Sequence, residues 1–239
     1  MKGDGAVYGE VFCKVYNVLG WNYYPEAFGE KLLCWIEENH LDVKTALDLA
    51  CGTGVLCRVL RDGGISAFGA DLSEGMIAIA RAENPDIPFA VADMVTYRPE
   101  KRVDLVTCTG DSLNHIPSLA DVERIFGNVY ESLNPGGFFI FDLLNEKEVS
   151  NDEPFEFDYS DTLRVWFRMT RPTEQDIDLN IRIFEKGNLQ TEEHIKERLH
   201  DPAVICDLLR QQGFRIQRLS NRLRDSDNPG TTWFIIAEK

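Results

Sequence analysis

The stretch Ala46-Leu47-Asp48-Leu49-Ala50-Cys51-Gly52-Thr53-Gly54-Val55-Leu56-Cys57-Arg58-Val59-Leu60 reads as a buried strand, a glycine turn and the start of a helix. Ala46 to Ala50 is apolar except for Asp48, the pattern of a central parallel strand covered on both faces. Gly52 and Gly54 remove two side chains where a backbone turns sharply or lets a ligand come close. Val55, Leu56, Val59 and Leu60 then recur at helical spacing, with Arg58 and Arg61 on the polar side. In open α/β sheets such a turn is where nucleotide-type ligands bind.

A dinucleotide fingerprint needs a third glycine, and here that position is Cys57, which weakens a nicotinamide-dependent oxidoreductase reading. The string Leu-Asp-Leu-Ala-Cys-Gly-Thr-Gly is more specific. It resembles the first motif of the class I S-adenosylmethionine-dependent methyltransferases: an acid, two residues, a small residue, then Gly-x-Gly. The resemblance is specific over residues 46–142 and looser over the rest of 8–239. It implies an α/β fold, a Rossmann-like doubly wound sheet of seven strands, with S-adenosylmethionine as cofactor and S-adenosylhomocysteine as product. On that resemblance Asp48, with backbone groups around Ala50, Cys51 and Gly52, holds the methionine ammonium end, and the backbone at Thr109 and Gly110 assists.

Two further strands end on acids. Ile65 to Asp71 places Asp71 near the interval of roughly 20 residues at which a ribose-binding acid follows such a turn. A carboxylate accepts both ribose hydroxyl protons; capping the next helix is the alternative, a task for which Ser73 is also available, and the place of Asp71 at a strand end favours ribose. Leu72 and Met76 follow in another family-like segment, and the resemblance sets them against adenine. Ile87 to Met94 ends on Ala92-Asp93-Met94, where the family's acid accepts from the adenine amino group and its neighbour reads a ring nitrogen; Asp93 as a turn cap is the plainer alternative.

The fourth strand, Val103–Thr109, runs into the polar loop Gly110-Asp111-Ser112-Leu113-Asn114-His115-Ile116-Pro117. Loops at strand C-termini carry the chemistry of this fold class. Asp111, Asn114 and His115 are therefore the candidate catalytic residues. His115, with an ordinary pKa of about 6.5, is placed to take a proton from an ammonium or hydroxyl at neutral pH, or only to orient the loop. Leu133-Asn134-Pro135-Gly136-Gly137 leads into a fifth strand, Phe138–Asp142, and Arg215 and Trp233 open onto the last two strands.

From Phe155 to Glu197 the helical period gives way to alternation, with a hairpin at Gly187-Asn188. Residues 151–199 are thus expected as an inserted antiparallel β subdomain, a cover over the acceptor or a dimer contact, between two parts of the cofactor domain, 44–150 and 200–239. It resembles the insertion of small-molecule N-methyltransferases. His194 within it reads as an exposed strand histidine. Residues 1–43 are expected to form a helical lid; its aromatic cluster holds Tyr16 and Trp21, each placed either to close the site or to pack on the sheet.

The 239 residues carry a formal net charge of −15, which repels phosphate backbones and disfavours nucleic acid as a partner. Arg215, Arg218, Arg222 and Arg224 are the nearest thing to a basic stripe and read as a solvated strand face. The same acidity favours a cationic small-molecule acceptor such as an amine. The six cysteines form no Cys-x-x-Cys pair and read as buried reduced thiols, so no metal site is expected. With no membrane-spanning run and no signal-peptide pattern, a cytoplasmic protein is expected. A methyltransferase-like scaffold that binds cofactor without transfer is the alternative from another functional class.

Overall fold

A computed structural model describes residues 8–146, 153–230 and 232–239. Residues 1–7 of the expected lid and the boundary expected at 150/151 lie outside them. Helices α1 (Glu10–Tyr16) and α2 (Tyr23–Glu38) precede β1 (Thr45–Leu49), α3 (Val55–Asp62), β2 (Ser66–Asp71), α4 (Glu74–Glu83) and β3 (Phe89–Val91). β4 (Val103–Cys108), α5 (Leu119–Ser132) and β5 (Leu133–Leu143) follow. The chain then builds β6 (Phe155–Asp158), β7 (Leu163–Thr170), β8 (Asp176–Glu185) and β9 (Asn188–Arg198), and closes with α6 (Pro202–Gln211), β10 (Arg215–Ser220) and β11 (Trp233–Glu238).

Seven strands form one sheet in the order β10-β11-β5-β4-β1-β2-β3, as the doubly wound reading required. β11 runs antiparallel to both its neighbours and the remaining pairings are parallel. Alternation along the central strands supplies both faces. Leu47, Leu49 and Val106 pack with Phe126 of α5 and Leu209 of α6, while Ala46 and Leu105 pack with Leu32 of α2 and Leu60 of α3. Strand order reverses between β1 and β4, and an open α/β sheet presents its crevice at the carboxyl ends of such a pair.

The second sheet, β6-β7-β8-β9, is antiparallel. Its first strand, β6, is four residues long and largely exposed. Val165, Ile181, Ile183 and Ile195 point to one face and pack against Phe12 and Cys13 of α1 and Met76 of α4. The β8–β9 hairpin turns on Lys186 and Gly187, both at positive φ (51° and 79°), one residue earlier than expected, the geometry a two-residue primed turn demands. Of the lid expected over 1–43, Phe28, Leu32 and Ile36 of α2 lie in the core of the main sheet, and among the described residues Tyr8, Phe12, Tyr16, Trp21, Tyr24 and Pro25 line the crevice. Among the described residues no helix is long and apolar enough to cross a membrane. Five of the six cysteines are buried and free; Cys34, on the outer side of α2, is exposed.

Candidate active site

The carboxyl ends of β1, β2 and β4 open into a cavity of about 390 Å³, within the usual range for small-molecule sites. At the reversal point Asp48 is buried, and Thr107 Oγ1 donates to its Oδ1 at 2.7 Å across the β1–β4 pair. Burial pushes the Asp48 carboxyl up to about 7. Ala50 follows at φ 55°, a left-handed conformation uncommon for a residue with a side chain, so the turn carries backbone strain where β1 ends.

The two motif glycines do different work. Gly52 has φ 53° and open space where a Cβ would stand, and it lines the cavity. Gly54 has φ 79°, and a Cβ there would lie 2.6 Å from the Phe89 ring. Gly54 therefore lets α3 approach β3 and does not itself reach the cavity wall. Cys57, at the position of a third glycine, is buried with its Sγ 4.0 Å from Asp48 Oδ2.

Asp71 is held by two backbone donors: Gly52 N–H reaches its Oδ2 at 2.9 Å and Ser73 N–H its Oδ1 at 2.8 Å. Ser73 caps α4, accepting from Met76 N–H, so the capping role weighed for this pair falls to Ser73. Each Asp71 oxygen retains acceptor capacity. Leu72, Met76 and Met94 line the same end of the cavity. Asp93 is exposed and lines it too, while its Oδ1 accepts from Val95 N–H at 2.8 Å; capping and a place at the wall coexist in one side chain.

The loop after β4 is tied from below by Asp142, at the end of β5. Its oxygens accept from Gly110 N–H (3.0 Å) and Asp111 N–H (2.8 Å), and the Tyr24 hydroxyl also donates to it. Sequence reasoning had read Asp142 only as a strand residue, although it is one more acid at a strand's carboxyl end. Asp111, at φ 53°, turns the chain into a single 3₁₀ turn, Ser112–His115. Of the three candidate catalytic residues this turn brings Asp111 and His115 to the cavity. Asn114 is buried elsewhere: its amide donates to Arg198 O at 2.7 Å and accepts from Leu144 N–H at 3.0 Å, pinning the turn between β9 and the end of β5. Thr109 and Gly110 line the cavity beside them.

His115 Nε2 lies 3.8 Å from Asp111 Oδ1 and 3.7 Å from Glu197 Oε1. Burial lowers its pKa to about 4 instead of leaving it near 6.5, so the ring is neutral at pH 7, a good acceptor and a weak base. Glu197 was not singled out from the sequence. It shares a face of β9 with Ile195, and an acid on the buried face of an alternating strand was the available signal. His194, one position off that face, is exposed and contacts Asn180. Over this end stand Tyr8, Phe12, Tyr16 and Trp21, with Tyr16 and Trp21 ring centroids 5.4 Å apart, and Phe167, Met169 and Leu179 from the inserted sheet. Asn17 accepts from Thr53 Oγ1 at 2.8 Å, tying the aromatic segment to the glycine turn. Arg215, Arg218 and Arg224 each pair with a carboxylate, so they form no bare basic stripe.

Residues 46–137 match the family model described as a methyltransferase domain. That matched stretch holds the reversal-point turn and the strand-end acids Asp48, Asp71 and Asp93. A Bacillus subtilis protein named as a methyltransferase is 28% identical over 204 residues, 81% of this chain and 82% of that one. A dTDP-3-amino-3,6-dideoxy-alpha-D-glucopyranose N,N-dimethyltransferase of Streptomyces fradiae is 30% identical over 131 residues; the match spans 55% of this chain and about half of that protein's length, 51%. Among solved structures, an S-adenosylmethionine-dependent methyltransferase from Clostridium acetobutylicum superposes with a TM-score of 0.81 at 22% identity, covering 95% of this chain and 97% of that one.

S-adenosylmethionine fits the residues present. Gly52 leaves room beside Asp71, whose oxygens can accept ribose hydroxyls, and Leu72, Met76 and Met94 offer apolar surface to adenine. Asp48 offers a buried acid to an ammonium group.

Proposed function

We propose that the protein transfers a methyl group from S-adenosylmethionine to a small-molecule acceptor, an amine. The observation that carries this reading is the continuity of the cavity from the glycine turn to the inserted sheet. One end presents Asp48, Gly52, Asp71 and Asp93, and the other is lined by Phe167, Leu179, Ile195 and Glu197. A cavity of about 390 Å³ suits a small acceptor, and its carboxylates suit a cation. The Streptomyces fradiae relative, by its name, methylates the nitrogen of an amino sugar.

The sulfonium supplies an activated methyl group, so the protein's task is to position, orient and exclude water. Asp48 holds the ammonium end, Asp71 the ribose and Asp93 the adenine edge. Tyr16 and Trp21 cover the crevice as the lid, a role confined to α1 and the turn after it. His115, neutral at pH 7, accepts a hydrogen bond from the acceptor; Asp111 sits beside it.

The test is calorimetric titration of S-adenosylmethionine, S-adenosylhomocysteine and NAD into wild type and Asp71→Ala. It is followed by mass detection of methylated products from amine, hydroxyl, thiol and carboxylate panels. Micromolar binding of the two sulfur nucleotides, lost in the variant, with product from amines, is the expected result. Binding without product from every class would leave the scaffold reading; products confined to carboxylates or thiols would remove the amine.

A further inference from the structure

Apolar and polar side chains alternate along β7 and β8, so the two faces of the inserted sheet differ in chemistry. Arg168, Asn180 and His194 stand in one cross-strand row. One residue along, Met169, Leu179 and Ile195 form the next row, on the other face. Phe167 and Ile181 are paired beside them on that face. All five line the same cavity as Asp48 and Asp71, and among the described residues every one that β7 and β8 contribute to it is apolar. Ile181 and Ile195 are buried in the cluster that joins this sheet to α1. Phe167, Met169 and Leu179 are only half-buried, which leaves apolar surface open where the face meets the cavity. Ile116, Tyr16 and Trp21 add apolar surface from other elements.

Such a surface discriminates by what the body of the ligand is made of. Covering it with hydrocarbon gains about fourfold in affinity per buried methylene. A hydroxyl set against it loses its hydrogen bonds to water and meets no polar side chain of β7 or β8, at a cost of roughly tenfold. A polyhydroxylated ring meets that cost more than once, whereas a hydrocarbon or aromatic ring gains. The accepting nitrogen needs no bond to this face, so its lone pair stays free for the methyl group.

Resting on the methyltransferase reading above, we infer that the acceptor carries its nitrogen on an apolar body, a hydrocarbon or aromatic ring, which lies on Phe167, Met169 and Leu179, with Met169 and Leu179 as specificity-determining residues. The continuity of this face with the cavity at Asp48 and Asp71 commits it to the acceptor. The class differs from the amino sugar that the name of the Streptomyces fradiae relative specifies.

The test uses the full chain with isotopically labelled methionine methyl groups. Its methionines are Met1, Met76, Met94 and Met169. Met76 and Met94 line the donor end and Met169 the apolar face, so one spectrum reads both parts of the cavity. With S-adenosylhomocysteine bound, propylamine, pentylamine and heptylamine should shift the Met169 signal, with affinity rising about threefold to fourfold per added methylene. Cyclohexylamine should bind at least about tenfold more tightly than glucosamine, which sets the same amine on a hydroxylated six-membered ring. Leu179→Ala should weaken cyclohexylamine about tenfold and leave glucosamine and S-adenosylhomocysteine within about twofold. Met169→Ala, read by calorimetry, is the second variant if Leu179→Ala does not fold. An alkyl series of constant affinity, glucosamine as tight as cyclohexylamine, or amines that leave Met169 unmoved would overturn the inference. So would equal losses of the two ring amines in Leu179→Ala. S-adenosylhomocysteine that leaves Met76 and Met94 unmoved would refute the parent reading instead, and Met169 would still report on the amines.

Discussion

Lowering the pH from 8 to 6 should weaken binding of S-adenosylhomocysteine by roughly tenfold and make that binding release a proton. The cause is Asp48. Its carboxyl, buried and raised to about 7, is about nine-tenths protonated at pH 6 and about one-tenth at pH 8. An ammonium placed against it favours the ionised form, and an opposite charge at contact lowers such a pKa by about two units. At pH 6 binding must then expel about 0.8 of a proton, and the affinity carries the cost of that ionisation. At pH 8 little is released. The assay is isothermal titration in buffers of different ionisation enthalpy at both pH values, for wild type and Asp48→Asn. Titration of the ligand's own amino group is common to both proteins and cancels in the difference. The asparagine variant should bind more weakly at pH 8 and show none of the Asp48 release at pH 6. Identical proton counts in the two proteins would refute the placement of the ammonium end at Asp48.

Stability should show two opposing pH dependences. Asp48 is raised from 3.8, so the folded state binds the extra proton between about pH 4 and 7 and stability falls as pH rises through that window. His115 is lowered from 6.5 to about 4, so the unfolded state binds the extra proton and stability rises with pH between about 4 and 6.5, by up to about 3 kcal/mol. Denaturant unfolding of wild type against Asp48→Asn and His115→Gln at pH 4.5 and 7 separates the two; slopes of the same sign would contradict one of the two assignments. The motif glycines should likewise separate. Gly54→Ala, driven into Phe89 at positive φ, should cost about 2–4 kcal/mol of folding stability. Gly52→Ala, in open space, should cost about 1 kcal/mol but reduce S-adenosylhomocysteine affinity at least tenfold, as thermal shift and calorimetry on the pair would reveal. Equal stability losses would mean that the turn is read wrongly.

What was legible in the sequence was local. A strand, a glycine turn and a helix are encoded within fifteen residues, and the acids Asp48, Asp71 and Asp93 announce themselves because each follows or interrupts an apolar run. Pairings between distant segments leave no such trace. Asn114 reads from the sequence as a candidate catalytic residue of a polar loop, yet its amide is consumed by Arg198 and Leu144, contacts fixed only when β9 and β5 pack on the turn. Asp142 and Glu197 belong to the site through the same kind of long-range meeting. The pKa of His115 depends on burial beneath Tyr8 and its neighbours, which no spacing rule reports.

The cavity draws its two ends from separable parts of the chain. Asp48, Gly52, Asp71 and Asp93 lie within one contiguous stretch of strand–helix repeats, whereas Phe167, Met169, Leu179 and Glu197 come from a sheet inserted between β5 and α6. Divergence can therefore act on the two halves at different rates. Substitutions along β7–β9 alter the far wall without touching the glycine turn or the pairing of β1 with β4. A change confined to this inserted segment therefore reshapes one end of the cavity and leaves the other end as it is.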